Sequence, residues 1–302
     1  MRSEFQPPIT QLRSALTDDC RYLLVAYDTS LQVYSVADSL LVRRIALPVV
    51  GANSGAPYLV ASALSQISPN LVWLASSDGR IWRIDWTTGT GAEDFFRTNA
   101  GVVHDMTLGA FTISKKPTDI ILVSESVKNS LRIVAYDPSD LDDAKSQVIQ
   151  SQPGKASILR AENGGSILTI AAGDALIVGA WKQKSLQSVE DLAYDFYSIN
   201  TSDDICSLSV RQSSKKAGSK KKVPQDVNDA VVDIAVGCTR GGIYIYSDLL
   251  SQLRSRSRKG IEVPKKQHWH QRAVHSVAWS TDGKFSTVSI PATAANAPQA
   301  TT

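Results

Sequence analysis

The sequence lacks long apolar segments: it has no run of 18 uncharged apolar residues, and no apolar stretch follows its first residue. The first absence argues against a transmembrane helix and the second against a secretory signal peptide, so no membrane association is expected. Cysteine is scarce, with three widely spaced residues in 302, which favours buried thiols in a reducing compartment over disulfides or a zinc site. Neither a Gly-x-Ser-x-Gly motif nor a Gly-x-x-x-x-Gly-Lys loop occurs, so hydrolysis of esters or nucleotides has no support.

Charge is absent from residues 285–302 and unevenly divided elsewhere. Residues 211–284 hold 15 Lys and Arg against 6 Asp and Glu, whereas residues 1–210 hold 17 against 23. The basic segment favours a polyanionic partner without identifying it. With 43% hydrophobic residues, the chain can still bury a substantial core.

Short strand-like runs, separated by turn residues, recur along the whole chain. A small or polar residue followed by an apolar–x–apolar triplet recurs at residues 30–34, 79–85, 129–133 and 242–246. A four-stranded sheet cannot cover both its faces alone, and radial packing against neighbouring sheets solves this problem. The sequence therefore predicts an all-β WD-repeat β-propeller over residues 1–285, with about five blades and the start of a sixth. A β-sandwich is the rival, but the repetition favours the propeller.

Two parts of this prediction are specific enough to be checked. Residues 249–254 are taken as a weak fourth strand of the fifth blade, and residues 286–302 as a disordered tail. An incomplete ring would expose strand edges, so poor solubility of the chain alone is expected.

The start of the sixth blade is the most informative segment. It is predicted to form a loop, then a strand that points Val274, Ser276 and Ala278 inward, and then a tight turn. The structural blade motif in this segment comprises His268, Trp269, His270, Asp282 and Gly283. The histidines there, with His275, are candidates for metal ligands. A structural role is favoured, because no cysteine is near and metal sites need three or four converging ligands. One of the loop histidines is expected to hydrogen-bond within the blade.

Two charged insertions, residues 212–223 and 251–266, are predicted to be mobile and solvated. Their basic residues are the candidate RNA-binding or partner-binding residues: Lys215, Lys216, Lys220, Lys221, Lys222, Arg254, Arg256, Arg258, Lys259, Lys265 and Lys266. For the lysine run, contact with RNA phosphates, a nuclear-import signal and a merely solvated loop stay open. Phosphorylation of Ser255 or Ser257 would lower the charge of the second insertion.

Pairs of adjacent aspartates occur at residues 18–19, 142–143 and 203–204. A general acid and base must flank a substrate in environments that separate their pKa values. Adjacent aspartates at strand turns are better explained by side chains that cap backbone amides. No catalytic residue and no cofactor, metal or small-molecule substrate are predicted.

The segments 12–35, 235–246 and 268–283 together resemble the nucleolar WD-repeat proteins of the WD repeat-containing protein 75 type. Their fungal counterpart is a subunit of UtpA, also called t-UTP, in the small-subunit processome. The order and spacing of the segments are similar to the family's first propeller, and the His-Trp-His run is the most specific part. Two departures are the Arg240-Gly241 turn, where the family has Asp-Gly, and the tail after Phe285, where the family continues; the chain is therefore expected to be a truncated first propeller.

This resemblance implies a non-catalytic scaffold in the nucleus and nucleolus that supports maturation of small-subunit ribosomal RNA and transcription by RNA polymerase I. It implies other processome proteins as partners, with pre-ribosomal or small nucleolar RNA as possible ligands. A generic WD-repeat adaptor and a propeller enzyme such as a lactonase or glycosidase are the alternatives. The enzyme would need a repeated set of converging side chains at the inner strands, which the sequence does not offer.

Overall fold

The protein is described here by a computed structural model. It describes residues 13–27, 29–47, 57–92, 95–99, 102–128, 130–153, 158–181, 186–213, 231–255, 262–268, 272–279 and 286–289. The chain divides into two compact units, the first formed by residues 1–165 and 181–194 and the second by residues 166–180 and 195–302.

Three four-stranded sheets come first in the chain. They comprise β1 (Arg13–Leu16), β2 (Tyr22–Tyr27), β3 (Ser30–Ser35) and β4 (Leu41–Ala46); β5 (Leu59–Leu64), β6 (Leu71–Ser76), β7 (Arg80–Asp85) and β8 (Phe95–Arg97); and β9 (Val102–Ile113), β10 (Lys116–Val127), β11 (Ser130–Asp137) and β12 (Lys145–Pro153). Each sheet is an antiparallel meander whose spatial order follows the chain.

Two further four-stranded sheets and a two-stranded sheet follow. They comprise β13 (Ile158–Glu162), β14 (Ile167–Ala172), β15 (Ala175–Trp181) and β16 (Tyr194–Asn200); β17 (Ile205–Ser213), β18 (Val231–Cys238), β19 (Gly242–Tyr246) and β20 (Lys265–His268); and β21 (Ser276–Trp279) with β22 (Ser286–Ser289). One helix, α1 (Leu249–Ser255), and two short 3-10 turns, Asn163–Gly165 and Val189–Asp191, complete the described elements.

The second sheet is covered on both faces, which distinguishes a propeller from a sandwich. Alternate residues of β6 point in opposite directions: Val72 and Leu74 join a core with the first sheet, whereas Trp73 and Ala75 join a core with the third. The same alternation places Trp82 of β7 in the first of these cores. A two-sheet sandwich would cover one face of each sheet only. On this buried strand, every second residue therefore packs against the first sheet, and the residues between them pack against the third sheet.

Successive sheets also meet along their first strands. In the first unit β5 lies against β1 and β9, and β9 lies against β13; in the second unit β17 lies against β21. Within each unit, the first strand is thus the inner strand of its blade and the last strand is the outer one. This is the radial order that the sequence predicts.

The fifth blade differs from the prediction. Residues 249–254 are not its fourth strand but belong to α1, because Leu249, Leu250 and Leu253 are buried with helical spacing while Gln252 between them is polar. The fourth strand is β20, which pairs with β19 from Ile245↔Lys265 to Gly242↔His268. Lys265 and Lys266 are therefore part of a sheet, and residues 251–255 are helical, so the insertion predicted over 251–266 is partly ordered.

The sixth blade differs in the direction of its side chains. Val274 is buried as predicted, but Ser276 and Ala278 are exposed, and Val277 is buried instead. Val274 precedes the strand, so its orientation does not set the alternation of β21. Residues 286–289, which the sequence assigns to the tail, form β22 and pair with β21 from Trp279↔Ser286 to Ser276↔Ser289.

Candidate docking surfaces

Most of the predicted basic residues lie outside the described residues. This holds for Lys215, Lys216, Lys220, Lys221, Lys222, Arg256, Arg258 and Lys259. Arg254 is described at the end of α1, where it is half-buried. Their predicted role in binding RNA or a partner stays a prediction.

Lys265 and Lys266 lie exposed on the outer strand of the fifth sheet. The Lys266 ammonium lies 5.5 Å from the centre of the Tyr244 ring, a cation–π distance. Gln267 follows them on the same strand and is also exposed. The edge of this blade therefore carries two cations held on a strand instead of a loop.

The blade motif is described only in part. The backbone of His268 ends β20, whereas Trp269, His270, Asp282 and Gly283 lie outside the described residues. His275 is exposed beside β21. Among the residues that the structure describes, no group of three His, Cys, Asp or Glu side chains is placed to hold a metal ion. Nor is any described helix long and apolar enough to cross a membrane.

Two of the aspartate pairs cap turns, as the sequence predicts. The Asp19 carboxylate accepts hydrogen bonds from Thr17 Oγ1 at 2.6 Å and from the Arg21 amide at 3.1 Å. These bonds lower the pKa of Asp19. Asp203 accepts from Thr239 Oγ1 and from the Arg240 amide, both at 2.7 Å, and these bonds outweigh its desolvation, so its pKa is also lowered.

A buried polar cluster ties the second sheet to the third, and sequence reasoning missed it. The Oδ2 atom of Asp119 accepts hydrogen bonds from Ser65 Oγ at 2.5 Å and from Trp73 Nε1 at 3.4 Å. All three side chains are buried, and the Asp119 Oδ1 atom has no partner among the described residues. The three residues are far apart in sequence and belong to no motif, so only the fold brings them together.

The buried Glu125 and the half-buried Glu162 have raised pKa values. Burial raises the pKa of Glu125, although the Tyr136 hydroxyl donates a hydrogen bond to it at 3.1 Å. Burial also raises the pKa of Glu162, to about 7, against the opposing effect of Arg160. Each of these pKa shifts follows from desolvation of the carboxyl group.

The outer strand of the first sheet exposes apolar side chains. Leu41 and Val42 are 49% and 55% exposed, Leu40 just before the strand is 65% exposed, and Arg43 and Arg44 follow them. The strand β4 is the last in its sheet, so within the described residues its other edge has no strand partner. Exposed consecutive apolar residues on a free edge are typical of a surface that pairs with another chain.

A cleft of about 320 Å³ opens between the first and second sheets. It is formed by the β1–β2 turn, the β5–β6 turn and the residue after β7, and its lining residues are Thr17, Asp18, Asp19, Tyr22, Leu64, Ser65, Pro69 and Trp86. Its wall is aromatic and aliphatic, and its rim is acidic. The sequence indicates Asp18 and Asp19 only as turn residues and gives no sign of the cleft.

No protein-family model and no curated protein sequence matches the chain. Solved structures do match it. A chain of a crystal structure of the mitotic checkpoint complex is similar over 91% of this chain and 70% of its own length, with a TM-score of 0.55 and 12% sequence identity. At this identity the likeness concerns the fold alone, and with the six sheets above it shows that the chain has the WD-repeat β-propeller fold. A fold by itself does not assign a function.

Proposed function

We propose that this chain is a non-catalytic scaffold subunit of the small-subunit processome, where it supports processing of pre-ribosomal RNA and transcription of ribosomal DNA by RNA polymerase I. The single observation that carries a docking role is the exposed apolar strand β4 on a WD-repeat propeller. The processome in particular is supported by the family resemblance of residues 12–35, 235–246 and 268–283. The described parts of the first two segments contribute to β1–β3 and to the β18–β19 hairpin, which are blade strands.

The partner that we propose for β4 is an extended segment of another processome protein with alternating apolar and acidic residues. Such a segment would add to the sheet as a further strand and cover Leu41 and Val42. Arg44 is exposed on the same strand and complements an acidic side chain. Arg43 is already held, because its Nη1 donates to the Thr88 carbonyl at 2.9 Å.

We propose pre-ribosomal RNA or small nucleolar RNA as a second partner, bound by the basic residues of the two insertions and by β20. The support is the excess of 15 basic over 6 acidic residues in residues 211–284. A variant with alanine at Lys215, Lys216, Lys220, Lys221 and Lys222 tests this role in titrations against structured RNA. We expect a shallower salt dependence, by about 0.7 to 0.9 in log–log slope for each phosphate that the variant no longer neutralises. An unchanged slope would remove the lysine run from the RNA surface.

A generic WD-repeat adaptor is the second candidate. It is favoured by the fold likeness to a chain of the mitotic checkpoint complex, a multi-protein assembly. That chain is only 12% identical to this one, so the likeness does not favour any particular complex. Both candidates share a docking role, but only the first predicts the nucleolus and ribosomal precursors.

The deciding experiment is to tag the full chain, localise it, sequence its crosslinked RNA and identify its co-purified proteins. We expect nucleolar localisation, small-subunit precursor RNA and UtpA proteins. The variant Val42→Asp should lose proteins docked on β4, whereas Val148→Asp should not, because Val148 is 46% exposed on the outer strand of another blade. A chain that co-purifies with other complexes and without ribosomal precursors would overturn the processome assignment in favour of the adaptor.

A further inference from the structure

The cleft between the first and second sheets is preorganised. The Trp86 indole donates to the Pro69 carbonyl at 2.9 Å, and the Trp86 amide donates to the Asn70 carbonyl at 3.0 Å. The rings of Tyr22 and Trp86 are 5.3 Å apart and inclined by 51°, so together they form an aromatic corner. Trp86 is 9% exposed and belongs to the core of the first two sheets, so a ligand would meet the half-buried Tyr22 ring and the remaining open part of Trp86. Because both rings are already in place, binding would cost these side chains little conformational entropy.

The rim of the cleft carries two carboxylates, Asp19 with hydrogen-bond partners and Asp18 with none among the described residues. Asp19 is fixed by Thr17 and Arg21, as described above. The Asp18 side chain is exposed, and its carboxylate has no hydrogen-bond or ion-pair partner within the described part of the chain. The hydroxyl of Ser65, in the lining, donates a hydrogen bond to the buried carboxylate of Asp119. A further acidic group therefore lies behind the wall of the cleft.

Aromatic walls beneath an acidic rim match one kind of ligand. A guanidinium group stacks on aromatic rings through its flat face, its alkyl stem packs on apolar surface, and its five donors reach carboxylates. The charged residues in the lining of the cleft, Asp18 and Asp19, are both acidic. A neutral or anionic side chain would leave the Asp18 carboxylate without a partner or repel it.

We propose that this cleft binds an arginine side chain presented by a partner protein. The aromatic corner of Tyr22 and Trp86 holds the guanidinium plane and the alkyl stem, and Asp18 accepts its hydrogen bonds. This inference rests on the proposed docking function and names the chemistry of one of its partners. It concerns a surface separate from β4.

The test is a titration of the purified full chain, labelled at its tryptophan indoles and backbone amides, with N-acetyl-arginine-methylamide followed by NMR. The uncharged analogue N-acetyl-citrulline-methylamide has almost the same shape and is the matched probe. We expect shifts at the Trp86 indole and at the amides of residues 18–22 with the arginine probe, and weaker shifts with citrulline. Equal binding of the two probes, or no shift at these positions with either, would overturn the proposal.

Two variants separate the roles of charge and rings. Asp18→Asn should weaken binding about threefold, the range of an exposed ion pair. Tyr22→Leu should weaken it by a similar factor, because leucine cannot make the cation–π interaction. Asp38→Asn, an exposed aspartate at the β3–β4 turn of the same sheet, is the control and should leave binding unchanged. If Asp18→Asn binds the probe like the parent chain, the cleft is not an arginine site.

This experiment is independent of the processome. A chain that binds arginine in the cleft but does not co-purify with ribosomal precursors would keep this inference and lose the proposed complex. Co-purification without arginine binding would do the reverse.

Discussion

Two buried tryptophans of the second sheet offer a matched test of the fold and of its polar cluster. Trp73 and Trp82 are 2% and 1% exposed and lie on opposite faces of the sheet. The Trp73 indole donates to Asp119 at 3.4 Å, whereas the Trp82 indole nitrogen has no hydrogen-bond partner among the described residues. Replacing each by phenylalanine removes the same atoms from two well-packed sites but breaks a hydrogen bond at only one of them.

The loss of unfolding free energy in each variant follows from its lost packing and, for Trp73, from its lost hydrogen bond. Each substitution should lower the free energy of unfolding by about 1 to 2 kcal/mol, because it removes packed atoms and leaves space behind. Trp73→Phe should cost about 1.5 kcal/mol more than Trp82→Phe, because it also leaves the buried Asp119 carboxylate with Ser65 as its remaining donor. The bond at 3.4 Å is long, so the lower end of the range for bonds to charged groups applies.

Urea denaturation of the full chain, followed by far-ultraviolet circular dichroism, measures both variants. In the background of Asp119→Ala, which removes the acceptor, the gap between the two substitutions should close. Costs that agree within about 0.3 kcal/mol in the parent background would show that the Trp73 bond contributes nothing. A negligible cost at Trp82 would contradict the double coverage of the sheet, and with it the propeller packing of the first unit.

Three further predictions concern single positions in the fold. Glu162 has a pKa of about 7 in the folded chain against an ordinary 4.5, so the native state retains a proton that the unfolded chain releases between these values. Stability should therefore fall by up to about 3 kcal/mol as pH rises from about 4.5 to about 7, and Glu162→Gln should remove this share of the slope in urea titrations across that range, leaving the share that the raised pKa of Glu125 contributes. Gly237→Ala should lower the melting temperature, because its Cβ would lie 2.4 Å from Ser207 Oγ and 2.5 Å from Val274 Cγ1; an unchanged melting temperature would contradict this packing. Leu249→Ala should cost about 2 to 4 kcal/mol in chemical denaturation if α1 is packed as described, and under about 0.5 kcal/mol if this segment is solvated.

The strands are predictable where a turn glycine precedes an apolar–x–apolar triplet. The sequence predicts β7 and β19 with their observed bounds, and Gly79 and Gly241 before them have φ values of 88° and 82°, which favour glycine. The hairpin of β9 and β10 is longer than the sequence predicts, because its two-residue turn uses Ser114 and Lys115 at φ values of 47° and 71°. Nothing in those residue types signals a turn with two positive φ values.

The helix α1 shows a different limit. Its apolar positions at residues 249, 250 and 253 fit a helix better than a strand, but the four-strand period of the blade favours a strand at this point of the chain. The observed blade reaches its fourth strand at Lys265, after the helix has packed against β18. Tertiary packing, and not the repeat, decides this segment.

The cleft and the polar cluster could not be predicted from the sequence, and the reason is the same for both. Tyr22, Ser65 and Trp86 come from two sheets, and Asp119 comes from a third. No local spacing relates them, since they meet only after the sheets have packed face to face. Capping by Asp19 is a local matter by contrast, so its role could be predicted from adjacent residues, whereas Asp203 accepts from the Thr239 hydroxyl and the Arg240 amide of a turn that is distant in sequence.

The two units offer opposite chemistries for docking, and this can be tested on one chain. The first unit has the acidic, aromatic cleft with Asp18 at its rim, and the second has Lys265 and Lys266 on β20. Salt should weaken a cationic peptide at the cleft and a polyanion at β20 alike, because both rely on exposed charges. Changes of charge separate the two surfaces. Lys265→Glu with Lys266→Glu should reduce RNA affinity and leave binding of the arginine probe unchanged. Asp18→Asn should weaken binding of the arginine probe and leave RNA affinity unchanged. If both variants changed both affinities equally, net charge would explain the binding and neither surface would be a specific site.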